Sequence, residues 1–132
     1  MDEKPTDSVT AYALIGGEQG IVRLVAAFYQ VMERDPKARA VRAVHGASLV
    51  EAQAKLQDFL TGWLGGPPIY MLKYGHPRMR MRHMPFAIGT KEMEEWLYCM
   101  DEAMNMLQVE ANLRTKLADA FRGLAEKIRN QT

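Results

Sequence analysis

The chain has 132 residues and a formal net charge of +1. This length suits one domain over residues 1–132. The near-neutral charge argues against a strongly basic nucleic-acid-binding protein. The single cysteine, Cys99, excludes an internal disulfide and a cysteine-cluster zinc or iron–sulfur site within the chain. Because the acidic start carries no signal peptide and no apolar run is long enough to span a bilayer, we expect a cytoplasmic protein with a frayed segment at 1–7.

The first third of the chain is predicted to be helical. Residues 8–15 form a short helix that the glycine pair at 16–17 stops, because glycine takes the left-handed conformation without a Cβ penalty. Residues 18–35 carry apolar side chains at helical spacing, and Pro36 ends that helix. A brief helical piece follows at 37–44.

The next long helix starts at a capping-box signature, in which Ser48 is followed three residues later by Glu51. Its apolar face runs to the Gly-Gly-Pro-Pro sequence at 65–68, which stops it. Residues 70–74 are predicted to be a loop or a single turn.

The segment 75–86 contains two histidines and three arginines between Pro77 and Pro85. Arginine and methionine alternate as in a strand, but the flanking prolines favour a short turn of helix instead. A histidine held on this basic, methionine-lined turn can ligate a metal, and the arginines suit an anionic group on the same ligand. A heme meets both requirements, since its iron takes one axial histidine and it carries two propionates.

Two other interpretations of the segment stay open at this point. Arginine and methionine in alternation are typical of a solvated surface, where a histidine has no special role. Clustered arginine is also a local signal of nucleic-acid binding, which would involve Arg78, Arg80 and Arg82.

Two helices complete the chain. Thr90 is the predicted N-cap of the first, with Glu92 favourably placed in its first turn. The second runs from about 112 to 129. No strand is predicted, so the fold class is all-α, with four substantial amphipathic helices around one irregular stretch. That stretch is too long for an idle connector, and we expect it to hold a ligand.

The order and spacing of several motifs resemble the truncated hemoglobins, and within them the second group. The resemblance covers the chain from Leu14 to the last helix. The motifs are the glycine pairs at 16–17 and 65–66, Phe28-Tyr29, Trp63-Leu64-Gly65-Gly66-Pro67, Gly75-His76-Pro77-Arg78, Met81-Arg82-His83, Pro85-Phe86 and Trp96-Leu97.

This resemblance implies a truncated globin, a two-over-two helical sandwich around heme b, which is iron protoporphyrin IX. It puts the metal ligand at His83 and leaves His76 in a turn, without a ligand role. Group members often carry tyrosine where this chain has His45, which leaves the hydrogen bonding around the gas ligand open.

Further positions follow from the same resemblance. The distal side of the heme is lined by Tyr29, His45, Ala52, Leu56 and Trp96. The remaining cofactor contacts are Phe59, Met79 and Phe86, with Arg80 and Arg82 as candidates for the propionates and Tyr70 and Lys73 as weaker ones.

The family's activity suggests binding of oxygen, carbon monoxide and nitric oxide, with slow oxygen release. One hypothesis adds nitric oxide dioxygenase or peroxidase-like turnover, with Tyr29 and His45 as candidate catalytic residues and an unidentified reductase as electron donor, because no flavin or nicotinamide motif is present. The alternative is a non-catalytic oxygen scavenger, transporter or sensor. We expect no nucleic-acid or membrane partner, and a monomer or homodimer.

Overall fold

The computed structural model describes residues 9–131, apart from the side chain of Arg80. This part of the chain contains helices and loops without a strand, as the all-α prediction requires. The helices are α1 (Ala11–Leu14), α2 (Gly17–Arg34), α3 (Arg39–Val44), α4 (Val50–Trp63), α5 (Ile69–Tyr74), α6 (Met79–His83), α7 (Thr90–Met106) and α8 (Ala111–Ile128), with a 3-10 turn at Pro36–Ala38.

The core lies between the four long helices. Helix α2 packs against α4 and α7, and α7 packs against α8, which is the predicted two-over-two sandwich. Each long helix turns one apolar stripe inward because its apolar residues recur at helical spacing. Side chains with almost no exposed surface include Phe28, Leu60, Met100 and Phe121.

Two predicted N-caps are wrong by one residue. Helix α4 is preceded by Leu49 at the cap position, and the Ser48 hydroxyl instead accepts a hydrogen bond from the Val50 N–H at 3.2 Å. Helix α7 has Gly89 as its cap. The Thr90 hydroxyl instead accepts a hydrogen bond from Arg129 at 3.0 Å, and the Glu92 carboxylate accepts one from the Gly89 N–H at 2.9 Å.

The short elements differ more from prediction. Helix α1 covers only Ala11–Leu14, capped by the Thr10 hydroxyl, and Ser8, the predicted start, lies outside the described residues. The predicted loop or single turn at 70–74 is a six-residue helix, α5. The short turn of helix expected within 75–86 is α6.

Among the helices of residues 9–131, none combines the length and apolar character that crossing a membrane requires.

Candidate functional site

The proximal candidate, His83, is the last residue of α6. Its Nδ1 lies 2.7 Å from the Met79 carbonyl oxygen. Because a carbonyl oxygen only accepts hydrogen bonds, Nδ1 carries the proton and donates it. In the neutral ring, the lone pair is therefore on Nε2, which is the arrangement that a metal-ligating histidine needs.

Within residues 9–131, His83 belongs to no cluster of three or more metal-ligating side chains. Across the part of the chain that the structure describes, no three or more His, Cys, Asp and Glu side chains come together. A bare metal ion would need such a cluster. A heme does not, since the porphyrin supplies four nitrogens and the protein adds one axial histidine, so this donor set fits a heme.

Across the helical sandwich, Tyr29 is buried in α2 with 7% of its surface exposed. Burial raises the pKa of its phenol, with a further contribution from Cys99, so the hydroxyl keeps its proton at neutral pH. It donates to the Ala52 carbonyl of α4 at 3.4 Å. This distance is long for a hydroxyl donor, so little is lost when the phenol turns to a ligand.

The second predicted distal group, His45, has its ring centroid 6.0 Å from that of Tyr29. Its Nδ1 donates to the Val41 carbonyl at 2.9 Å, which leaves the Nε2 lone pair free in the neutral ring. Burial lowers the pKa of His45, and the charges of Arg42 and His83 lower it further against the opposing Val41 hydrogen bond. His45 therefore stays neutral at physiological pH.

Helix α7 holds α3, the short helix that ends at His45. The Glu95 carboxylate accepts a hydrogen bond from the Val41 N–H at 2.9 Å. The carbonyl of the same residue, Val41, accepts the hydrogen bond that orients the His45 ring. Sequence reasoning did not find Glu95, because 54 residues separate it from Val41 and only the folded chain brings them together.

Trp96 lies between two phenylalanines. Its ring centroid is 5.2 Å from that of Phe28 and 5.9 Å from that of Phe121. Within residues 9–131 its indole N–H has no protein acceptor. A half-buried indole donor without a partner is available to a ligand.

The predicted lining residues come from three elements. Phe59 is buried in α4 and stacks on Trp63 with ring centroids 5.9 Å apart. Ala52, Leu56 and Met79 are half-buried and pack against the core. Phe86, beyond α6, has 46% of its surface exposed, so the protein alone does not cover it.

A cavity of about 530 Å³ opens beside α6. Its walls are mostly apolar and carry two cationic side chains, a combination that suits an apolar group bearing carboxylates. Of the predicted cofactor contacts it includes Phe59 and Met79, and His83 is not among its lining residues. It is lined by Phe59, Trp63, Pro77, Arg78, Met79, Leu124 and Lys127. The sequence signal for Leu124 and Lys127 was their spacing of three on α8, which places both on one helical face.

The candidate propionate partners lie around α5. Arg82 donates to the carbonyls of Tyr74 and His76, each at 3.3 Å, and its guanidinium lies 5.9 Å from the centre of the Tyr70 ring. Lys73 forms an ion pair with Asp58 at 3.0 Å, which raises the pKa of Lys73. The side chain of Arg80 lies outside the described residues.

Comparisons with known proteins identify the family of the chain. Residues 10–130 match the family model described as a bacterial-like globin. The group 2 truncated hemoglobin YjbI of Bacillus subtilis (strain 168) is 35% identical over 116 residues, which is 88% of this chain and 86% of that one.

Two solved structures are similar along most of their length. The group II 2-on-2 hemoglobin from the plant pathogen Agrobacterium tumefaciens superposes with a TM-score of 0.91 and 40% identity, covering 100% of both chains. The cold-adapted truncated hemoglobin from the Antarctic marine bacterium Pseudoalteromonas haloplanktis TAC125 gives a TM-score of 0.90 at 35% identity, covering 94% of this chain and 100% of that one.

Proposed function

This chain belongs to the bacterial-like globins, within group II of the truncated hemoglobins, and from this premise we propose that His83 holds heme b. We further propose that oxygen, carbon monoxide and nitric oxide bind opposite His83 and that oxygen is released slowly. As a globin, the chain is a heme protein that binds oxygen. The observation that carries the His83 assignment is the hydrogen bond from its Nδ1 to Met79, which leaves Nε2 as a ligand atom.

The heme supplies an iron with a coordination position for a diatomic gas. The chain supplies hydrogen-bond donors on the other side of the pocket. Within residues 9–131, Trp96 has an indole N–H without a protein acceptor, and the Tyr29 hydroxyl has a long bond to Ala52. With heme bound, both donors would stabilise the negative charge of an oxygen ligand and so slow its release.

The remaining residues have supporting roles in this proposal. Ala52 is small and leaves a side path for gases, with Leu56 as its apolar wall. Arg82 and Arg80 pair with the propionates, with Tyr70 and Lys73 beside them. Phe59, Met79 and Phe86 contact the porphyrin, and Phe86 gains most because its exposed surface would be covered.

A second candidate function is redox turnover of peroxide or nitric oxide. It is favoured by His45, whose Nε2 lone pair remains free while Nδ1 bonds Val41. A neutral imidazole in this pocket is suited to accept a proton from hydrogen peroxide. Such turnover needs electrons from a partner reductase. Without such turnover, the proposed role is that of a cytoplasmic oxygen scavenger, transporter or sensor, acting as a monomer or homodimer.

The experiment that tests the main proposal is His83→Ala. The purified protein reconstituted with hemin is expected to lose the normal Soret spectrum, because the axial nitrogen is gone, and added imidazole is expected to restore much of it. The matched control is His76→Ala, which removes an exposed histidine from the same segment. A wild-type spectrum in the His83 variant, or equal loss in both variants, contradicts the proposal.

A further inference from the structure

The C-terminal segment contacts the helix that carries His83. The side-chain Nδ2 of Asn130 donates to the His83 carbonyl at 3.1 Å and to the Phe86 carbonyl at 2.8 Å. Its Oδ1 accepts a hydrogen bond from the Ile88 N–H at 3.0 Å. One amide side chain therefore joins the end of α6 to the loop that follows it.

Helix α6 needs such support from outside. It has five residues and begins after Arg78, which has a left-handed φ of 46° and provides no side-chain cap. A helix this short is not stable by itself, because nucleation costs more free energy than one turn of hydrogen bonds provides. The position of its last residue, His83, depends on the groups that bind its final carbonyls.

We propose that Asn130 is a positioning residue for His83, which fixes the end of α6 and through it the orientation of the imidazole toward the heme iron. This inference rests on the proposed role of His83. It adds a residue that is 47 positions away in the sequence and outside the motifs that carry the family resemblance.

The backbone geometry separates this role from simple anchoring of the C-terminus. The N–H groups of Asn130 and Gln131 both donate to the Ile88 carbonyl, at 2.8 Å and 3.0 Å. Removing the Asn130 side chain leaves these two bonds in place, so the terminus remains docked and the protein is expected to fold. Three side-chain bonds are lost, namely the two to the His83 and Phe86 carbonyls and the one from the Ile88 N–H.

The test compares Asn130→Ala and Asn130→Asp with the wild type. The aspartate keeps an acceptor for the Ile88 N–H but loses the donor to the His83 carbonyl. In the ferrous protein without gas, both variants are expected to shift or broaden the iron–histidine stretching band in resonance Raman spectra. Heme transfer to apomyoglobin should be about two- to tenfold faster, the equivalent of one lost hydrogen bond.

The control is Arg129→Ala, one residue away. The Arg129 side chain bonds Thr90 and Glu126, and within residues 9–131 it forms no hydrogen bond to α6, so the stretching band and heme loss of this variant should match the wild type. Wild-type values in both Asn130 variants, or an equal effect of Arg129→Ala, would overturn the inference. Absence of an iron–histidine band in the wild type would instead contradict the assignment of His83 itself.

Discussion

His83 and His45 make the same local hydrogen bond. Each donates from Nδ1 to a backbone carbonyl four residues earlier, Met79 for the first and Val41 for the second. Each stands where its short helix ends, so the ring folds back onto its own turn. Both imidazoles thereby keep the Nε2 lone pair free, which the proposed function assigns to the iron for His83 and to the distal pocket for His45.

The lowered pKa of His45 makes a prediction about pH. Burial lowers this pKa most, Arg42 and His83 lower it further, and the hydrogen bond to Val41 opposes them. A pKa below the ordinary value near 6.5 means that the neutral base persists to lower pH. Peroxide consumption by the heme-loaded protein is expected to stay level from pH 8 down through that ordinary range and to fall only below it.

His45→Ala should lower the rate by about 10²- to 10⁴-fold at the pH values where the imidazole is neutral, since this is the usual contribution of a general base. The measurement is the initial rate of peroxide consumption across the pH series, with a reductant in excess. Unchanged reactivity in the variant would reduce His45 to a loop residue.

At the scale of elements, the junction between α1 and α2 depends on a close backbone approach. A Cβ on Gly20 would lie 2.6 Å from the carbonyl carbon of Ile15 and overlap its oxygen. Gly20→Ala is therefore expected to destabilise the protein by about 1–3 kcal/mol through overpacking, although alanine is the better helix former.

The matched control is Gly123→Ala on α8, where nothing outside the helix lies within 4 Å of the added carbon. That variant should be more stable by up to about 1 kcal/mol. Urea unfolding of the heme-loaded proteins, followed by far-UV circular dichroism, measures both changes. The same sign for the two substitutions would show that the contact with Ile15 does not matter.

The long helices could be predicted from sequence because their apolar spacing extends over several turns. The caps could not be placed to the residue, since the oxygens of Ser48 and Thr90 bind elsewhere in the folded chain. Helix α5 has too few residues to show a period. Glu95 and Asn130 carry no local signal at all, because their roles exist only through contacts across 54 and 47 residues.

At the scale of the molecule, a row of aromatic rings crosses all four long helices. It runs from Tyr29 through Phe28, Trp96 and Phe121 to Trp63, with successive centroids 4.8, 5.2, 5.9 and 5.5 Å apart. Contacts of this kind each add about 0.5–1.5 kcal/mol beyond area burial. The row connects the two proposed distal donors, Tyr29 and Trp96, to the core, so Trp96 has a packing role and a proposed ligand-binding role.

Trp96→Phe separates these two roles, because phenylalanine keeps a ring in the row but has no N–H. Oxygen release from the ferrous protein is expected to become about tenfold to a hundredfold faster, the equivalent of a 1.5–3 kcal/mol hydrogen bond to a charged acceptor. Trp63→Phe makes the same change at the other end of the row, next to Phe59 and away from Tyr29. Stopped-flow oxygen displacement should therefore give the wild-type rate for Trp63→Phe, while unfolding should show similar losses of stability for both variants. Equal oxygen release from the two variants would mean that the indole of Trp96 only packs.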